Sequence, residues 1–83
     1  MKIQIEDQTY EGTGVEIMET LRNLTFDPEE YGGTEGYIRQ LQSNFIRSTD
    51  RDCRLPQGDT EKMARAMFAH LAKADALEIL DDA

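Results

Sequence analysis

Lys2-Ile3-Gln4-Ile5-Glu6-Asp7-Gln8-Thr9-Tyr10-Glu11-Gly12 is the stretch on which the fold turns. Ile3 and Ile5 alternate with Lys2, Gln4 and Glu6, the period-two pattern of a strand with one buried face. Asp7-Gln8 reads as a turn and Thr9-Tyr10-Glu11 as a short return strand. Two strands alone are marginal in water, so the face carrying Ile3 and Ile5 must be covered. Ala76-Leu77-Glu78-Ile79-Leu80 alternates in the same way, although a helical extension also fits its pattern. The strand is preferred, because the hairpin needs a third partner.

Between these ends the spacing changes to that of helices. Thr13 and Glu16 stand as a capping box ahead of a helix from Gly14 to about Leu24. Ile17, Leu21 and Leu24 fall on one stripe of it, with Met18 beside them. Asp27-Pro28-Glu29-Glu30 resembles a cap followed by proline at the first helical position, and Gly32-Gly33 ends that turn. Thr34 is expected to cap a second helix from Glu35 to Arg47, with Ile38, Leu41 and Phe45 facing inward. Cys53-Arg54-Leu55 is readable as a short strand ended by Pro56. Asp59 caps a third helix from Thr60 to about Ala74. The expected fold is α+β: a small antiparallel sheet, made by the N-terminal hairpin and a C-terminal strand, packed against three α-helices. Residues 1–83 form one domain, with Ile3, Ile5, Ile17, Leu21, Ile38, Leu41, Phe45, Met67, Phe68, Leu71 and Ile79 in its core.

Size limits how that domain can be stabilised. A chain of 83 residues buries only about 60–65% of the surface its unfolded form exposes. Its one cysteine, Cys53, excludes an internal disulfide, and one cysteine plus one histidine cannot build the usual four-ligand zinc site. Self-association is the compensation left, so a homodimer is expected. No stretch approaches the roughly 20 apolar residues that cross a bilayer. With no apolar leader at its start, the chain is expected in the reducing cytoplasm.

The charge is unevenly placed. The net charge is −8. From Met1 to Glu35 nine acids stand against two bases, and from Gly36 to Arg54 four arginines stand against two acids. Such acidity disfavours direct contact with nucleic acid or an anionic membrane. It favours a partner protein with a basic surface, which carboxylates would meet where nucleic-acid phosphates otherwise sit. The expected face comprises Glu11, Glu16, Glu19, Asp27, Glu29, Glu30 and Glu35. Solubility alone is the plainer explanation of the same charges.

The arginine block offers a second reading. Arg39, Arg47, Arg51 and Arg54 could converge on a phosphate or carboxylate, with Tyr31 or Tyr37 stacking on a base. The plainer reading pairs them with the chain's own acids. Tyr31-Gly32-Gly33-Thr34-Glu35-Gly36-Tyr37 could offer free amides to an anion, but its glutamates repel one and a tight turn explains it better. Asp50, Asp52 and Glu61 match positions 1, 3 and 12 of a calcium loop, yet Arg54 and Leu55 occupy positions that need an oxygen ligand and a glycine. His70 lies at the edge of an apolar helix stripe, where packing is its usual role. No nucleophile has a base and an orienting group in recognisable spacing, so no enzyme, metal or cofactor is expected.

In size, acidity and want of catalytic groups, the chain resembles the small inhibitors that phages use against bacterial defence systems, the anti-CRISPR proteins among them. The resemblance is one of kind and rests on no diagnostic residues. It implies a non-enzymatic inhibitor that masks a basic, nucleic-acid-handling surface. Two alternatives accompany it: an oligomer that sequesters an anionic nucleotide, and an accessory subunit of a larger complex.

Overall fold

The computed structural model describes residues 1–82. In chain order it contains β1 (Lys2–Ile5), β2 (Gln8–Glu11), α1 (Gly14–Asn23), a 3-10 turn (Pro28–Tyr31), α2 (Thr34–Thr49), α3 (Thr60–Lys73) and β3 (Glu78–Asp81). The strands form one antiparallel sheet in the order β2-β1-β3. The fold is therefore α+β, with the hairpin and the C-terminal strand in one sheet against three helices.

Register explains which strand face is covered. Ile3 stands opposite Tyr10 on one side and Ile79 on the other, so these three share a face. Lys2 stands opposite Glu11 and Asp81, which gives the other face to charge. An irregularity between Lys2 and Ile3 shifts the β1–β3 register. The hairpin turn is Glu6-Asp7 rather than Asp7-Gln8, because Gln8 already pairs with Ile5. Glu6 takes the left-handed backbone (φ 54), and the Gln4 side chain donates to its carbonyl at 3.0 Å.

Helix starts follow local chemistry with one exception. Thr13 Oγ1 accepts from the Glu16 amide at 3.1 Å, and the Glu16 carboxylate accepts from the Thr13 amide at 2.9 Å, completing the capping box. Asp59 Oδ1 accepts from the amides of Glu61 and Lys62 and so caps α3. Thr34, expected as the cap of α2, is instead its first helical residue, and Gly33 is the cap without a side-chain bond. The Thr34 hydroxyl is turned to Glu19, which it donates to at 3.3 Å. Cys53-Arg54-Leu55 forms no strand; residues 50–59 run without regular structure from α2 to α3.

Phe68, Ile3, Ile17, Met18, Ile38, Met63 and Met67 are fully enclosed. Tyr37, Phe45, Cys53 and Leu77 complete the core, while Ile5, Leu21, Leu41, Leu71 and Ile79 pack half-buried around it. Three methionines at the centre let flexible thioethers fill the irregular space between sheet and helices. The α1–α3 crossing is close. A β-carbon at Gly14 would stand 3.1 Å from the Ala64 methyl and 2.9 Å from Glu61 Oε2.

Candidate partner-binding surface

The seven carboxylates of the acidic block are all exposed. Glu11 ends β2 and Glu16 lies in the first turn of α1. Both line an open cleft of about 470 Å³, which they share with Met1, Lys2, Gly12, Thr13, Arg65 and Asp81. Glu19 stands three residues along α1 from Glu16 and reaches Thr34 at the start of α2. Asp27, Glu29 and Glu30 occupy the corner joining α1 to α2. Glu35, in the first turn of α2, meets Arg39 at 3.2 Å. Both partners are more than half exposed, so this contact is a weak constraint. Among the described residues no lysine or arginine lies in ion-pair range of Glu11, Glu16, Glu19, Asp27, Glu29 or Glu30. The hairpin end, α1 and the corner thus carry exposed carboxylates without an ion-pair partner among the described residues.

The corner itself is braced. The Thr25 amide and hydroxyl both donate to the Arg22 carbonyl, at 3.0 and 2.6 Å. Arg22 Nη1 donates to the Pro28 carbonyl at 3.0 Å, while its Nε is buried without a partner. Glu30 and Gly32 amides close the 3-10 turn onto Asp27 and Glu29 carbonyls. Gly32 then turns the chain at φ 77, a backbone glycine adopts without strain. The Tyr31 carbonyl lies directly against Gly36, where any side chain would collide with it. The glycine-rich segment is therefore a tight turn between helices.

Two tyrosines, Tyr31 and Tyr37, meet beside this corner. Tyr31 and Tyr37 pack edge to face with ring centres 5.1 Å apart. Burial pushes the Tyr37 phenol up, and the neighbouring phenols of Tyr31 and Tyr10 add to it. Tyr37 is buried and Tyr31 half-buried, so their rings are largely occupied by each other and by the core. On the same corner Leu24 is 68% exposed and Phe26 wholly exposed. Sequence spacing puts Leu24 on the inner stripe of α1 with Ile17 and Leu21, but the helix ends at Asn23 and Leu24, its C-cap, is exposed; Phe26 falls in no stripe. The available signal was a phenylalanine standing in a polar stretch outside any stripe.

The four arginines separate. Arg39 is taken up by Glu35. Arg47 lies in the last turn of α2, and Arg51 and Arg54 lie in segment 50–59. Those three are exposed, and among the described residues none has an acid in ion-pair range. The segment is tied down from behind. Gln42 Nε2 donates to the Cys53 carbonyl at 2.6 Å, and His70 Nε2 donates to the Arg54 carbonyl at 3.0 Å. A carbonyl only accepts, so this bond fixes the proton on Nε2 of His70. Cys53 is buried with Sγ 3.7 Å from Met67 Sδ, and burial pushes its thiol up, away from the reactive thiolate.

The calcium-loop spacing has a different outcome. Glu61 does not join Asp50 and Asp52; its carboxylate accepts from the amides of Gly14 (2.7 Å) and Val15 (2.9 Å) at the start of α1. Arg65 Nε donates to the same carboxylate at 2.7 Å, and Arg65 Nη1 reaches the Asp82 carbonyl at 3.1 Å. Burial pushes the Glu61 carboxyl up, but the Val15 and Gly14 amides and the Arg65 guanidinium outweigh it and hold it below the usual range. Among the described residues no group of three His, Cys, Asp or Glu side chains is placed to hold a metal ion. Nor is any described helix long and apolar enough to cross a membrane. Comparison with known proteins adds no relative: no family model, curated protein or solved structure matches the chain.

Proposed function

We propose that the chain is a non-enzymatic binding protein that docks its acidic side on the basic surface of a partner protein, masking a site that handles nucleic acid. The observation that carries this reading is the set of six exposed carboxylates, on the hairpin end, α1 and the corner, that form no ion pair with a lysine or arginine among the described residues. Glu11, Glu16, Glu19, Asp27, Glu29 and Glu30 supply the charge, and Glu35 borders them. Such a field speeds encounter with a cationic surface and selects against anionic ones. A phage-encoded inhibitor of a bacterial defence system, of the anti-CRISPR kind, is the biological role we assign to that chemistry. The test is retention of a nucleic-acid-binding protein from native lysate on the immobilised chain. Elution by salt and by competing nucleic acid is the expected result, with loss of retention on charge reversal at Glu16/Glu19 or Glu29/Glu30. Retention indifferent to all three overturns the reading.

A second reading, capture of an anionic nucleotide, is favoured by the guanidiniums of Arg47, Arg51 and Arg54, which have no acid in ion-pair range among the described residues. The engagement of Tyr37 in the core weighs against its role as a stacking platform. Nucleotide at a hundredfold excess over its Kd would stabilise the fold by about 2.7 kcal/mol, readable as a thermal shift. No shift across the common nucleotides removes this alternative.

A further inference from the structure

We infer that Phe26, seconded by Leu24, is the apolar anchor of the acidic surface, and that it enters an apolar pocket with a basic rim on the partner protein. The inference rests on the docking reading above and adds to it the residues that would hold the complex together once charge has brought it in.

Three observations converge on the corner. Phe26 is wholly exposed and Leu24 is 68% exposed, two apart on one short connection. That connection is held rigid by the Thr25 bonds to the Arg22 carbonyl, by Arg22 on Pro28, and by the 3-10 turn that follows. A rigid loop presents its side chains with little ordering left to do on binding, which is how anchor residues gain affinity. Asp27, Glu29 and Glu30 follow Phe26 directly; among the described residues none of them has a lysine or arginine in ion-pair range, the nearby Arg22 guanidinium being bonded to the Pro28 carbonyl. An aromatic knob beside three exposed carboxylates that form no ion pair among the described residues is complementary to an apolar pocket bordered by lysine or arginine. Interfaces are typically organised in this way, with an aromatic centre and charge at the rim. A second copy of the chain fits poorly, because pairing two such corners would bring Asp27, Glu29 and Glu30 of one against those of the other.

The test uses two defined probes: an amphipathic lysine/leucine helical peptide, which offers apolar surface with a basic border, and polylysine of equal length, which offers charge alone. Phe26→Ser should weaken binding of the lysine/leucine peptide by about tenfold or more. Its binding to polylysine should change less than about twofold, because a surface charge contact does not use the ring. Unchanged circular dichroism and melting temperature for Phe26→Ser would show that the fold is intact, as expected for a ring with no packing partner. Equal affinity of wild type and Phe26→Ser for the lysine/leucine peptide, or no binding of that peptide at all, overturns the anchor. Concentration-dependent self-association that Phe26→Ser abolishes overturns it in favour of a second copy. Charge reversal at Glu29/Glu30 addresses the underlying reading separately. If it leaves both probes bound while Phe26→Ser does not, the anchor stands and the electrostatic docking reading fails.

Discussion

The two ends of α1 are built on opposite principles. At its start, nearly every polar group is matched: Thr13 and Glu16 cap each other, and Glu61 of α3 closes on the Gly14 and Val15 amides. At its finish, Arg22 and Thr25 tie the backbone in place, but the apolar side chains of Leu24 and Phe26 are left in water, standing clear of the core. One end joins the helix to the rest of the fold. The other holds a loop in shape without burying what it carries. The difference separates residues that determine stability from residues that are free to serve recognition, and substitutions should divide along the same line.

The largest expected effect comes from breaking the buried side of α1. Ile17→Ala should cost about 2–5 kcal/mol, whereas Leu24→Ala at the far end should stay within about 0.5 kcal/mol. Urea unfolding of the pair reads the contrast directly, and equal losses would abolish it. Gly14→Ala and Gly36→Ala come next, at about 1–3 kcal/mol each. The first pushes a methyl into Glu61 and Ala64, the second into the Tyr31 carbonyl, so one strains each end. Thermal melts should show both losses, and a neutral Gly14→Ala would mean the α1–α3 crossing is looser than described.

Glu61→Gln should destabilise by about 1 kcal/mol at neutral pH through loss of charge-assisted bonds. The sign with pH follows from its lowered pKa. A carboxylate held below its unfolded value contributes stability that is full above the unfolded value and lost as pH falls through the folded one. Wild type and Glu61→Gln should therefore converge in stability on acidification below the ordinary carboxylate range. Divergence in that range would sink the clamp. Thr13→Ala should cost about 1 kcal/mol or less through the lost cap.

Much of the architecture was legible because it rests on local signals. The alternation of Ile3 and Ile5, the Thr13/Glu16 box, Pro28 at the start of a turn and Asp59 before α3 each act within a few residues. The misreadings have the opposite character. Thr34 looked like a cap but serves Glu19, a residue fifteen positions away. Glu61 stands out in the sequence only as the last position of a calcium-loop spacing that Arg54 and Leu55 already spoil, because spacing says nothing of the Gly14 and Val15 amides it faces across the α1–α3 crossing. Arg39 pairs locally with Glu35 four residues back, as helical spacing allows, whereas Arg47, Arg51 and Arg54 find no acid in ion-pair range among the described residues. Of the acidic surface, composition gave the charge and its location along the chain. It could not give the exposure of Phe26, since an isolated aromatic ring is equally consistent with a core.

The strand order has a consequence for how the molecule is made. Of the two neighbours of the central strand, β2 follows it at once, whereas β3 comes only after all three helices. Until β3 leaves the ribosome, β1 has an open side, and the hydrophobic face behind it is only partly sealed. Closure must then join two segments far apart in sequence, the kind of pairing that slows folding because a long loop is ordered before it is rewarded. Deletion of β3 should consequently leave a protein that starts to assemble but fails to lock, and nascent chains would be most vulnerable to proteolysis in the interval before β3 emerges.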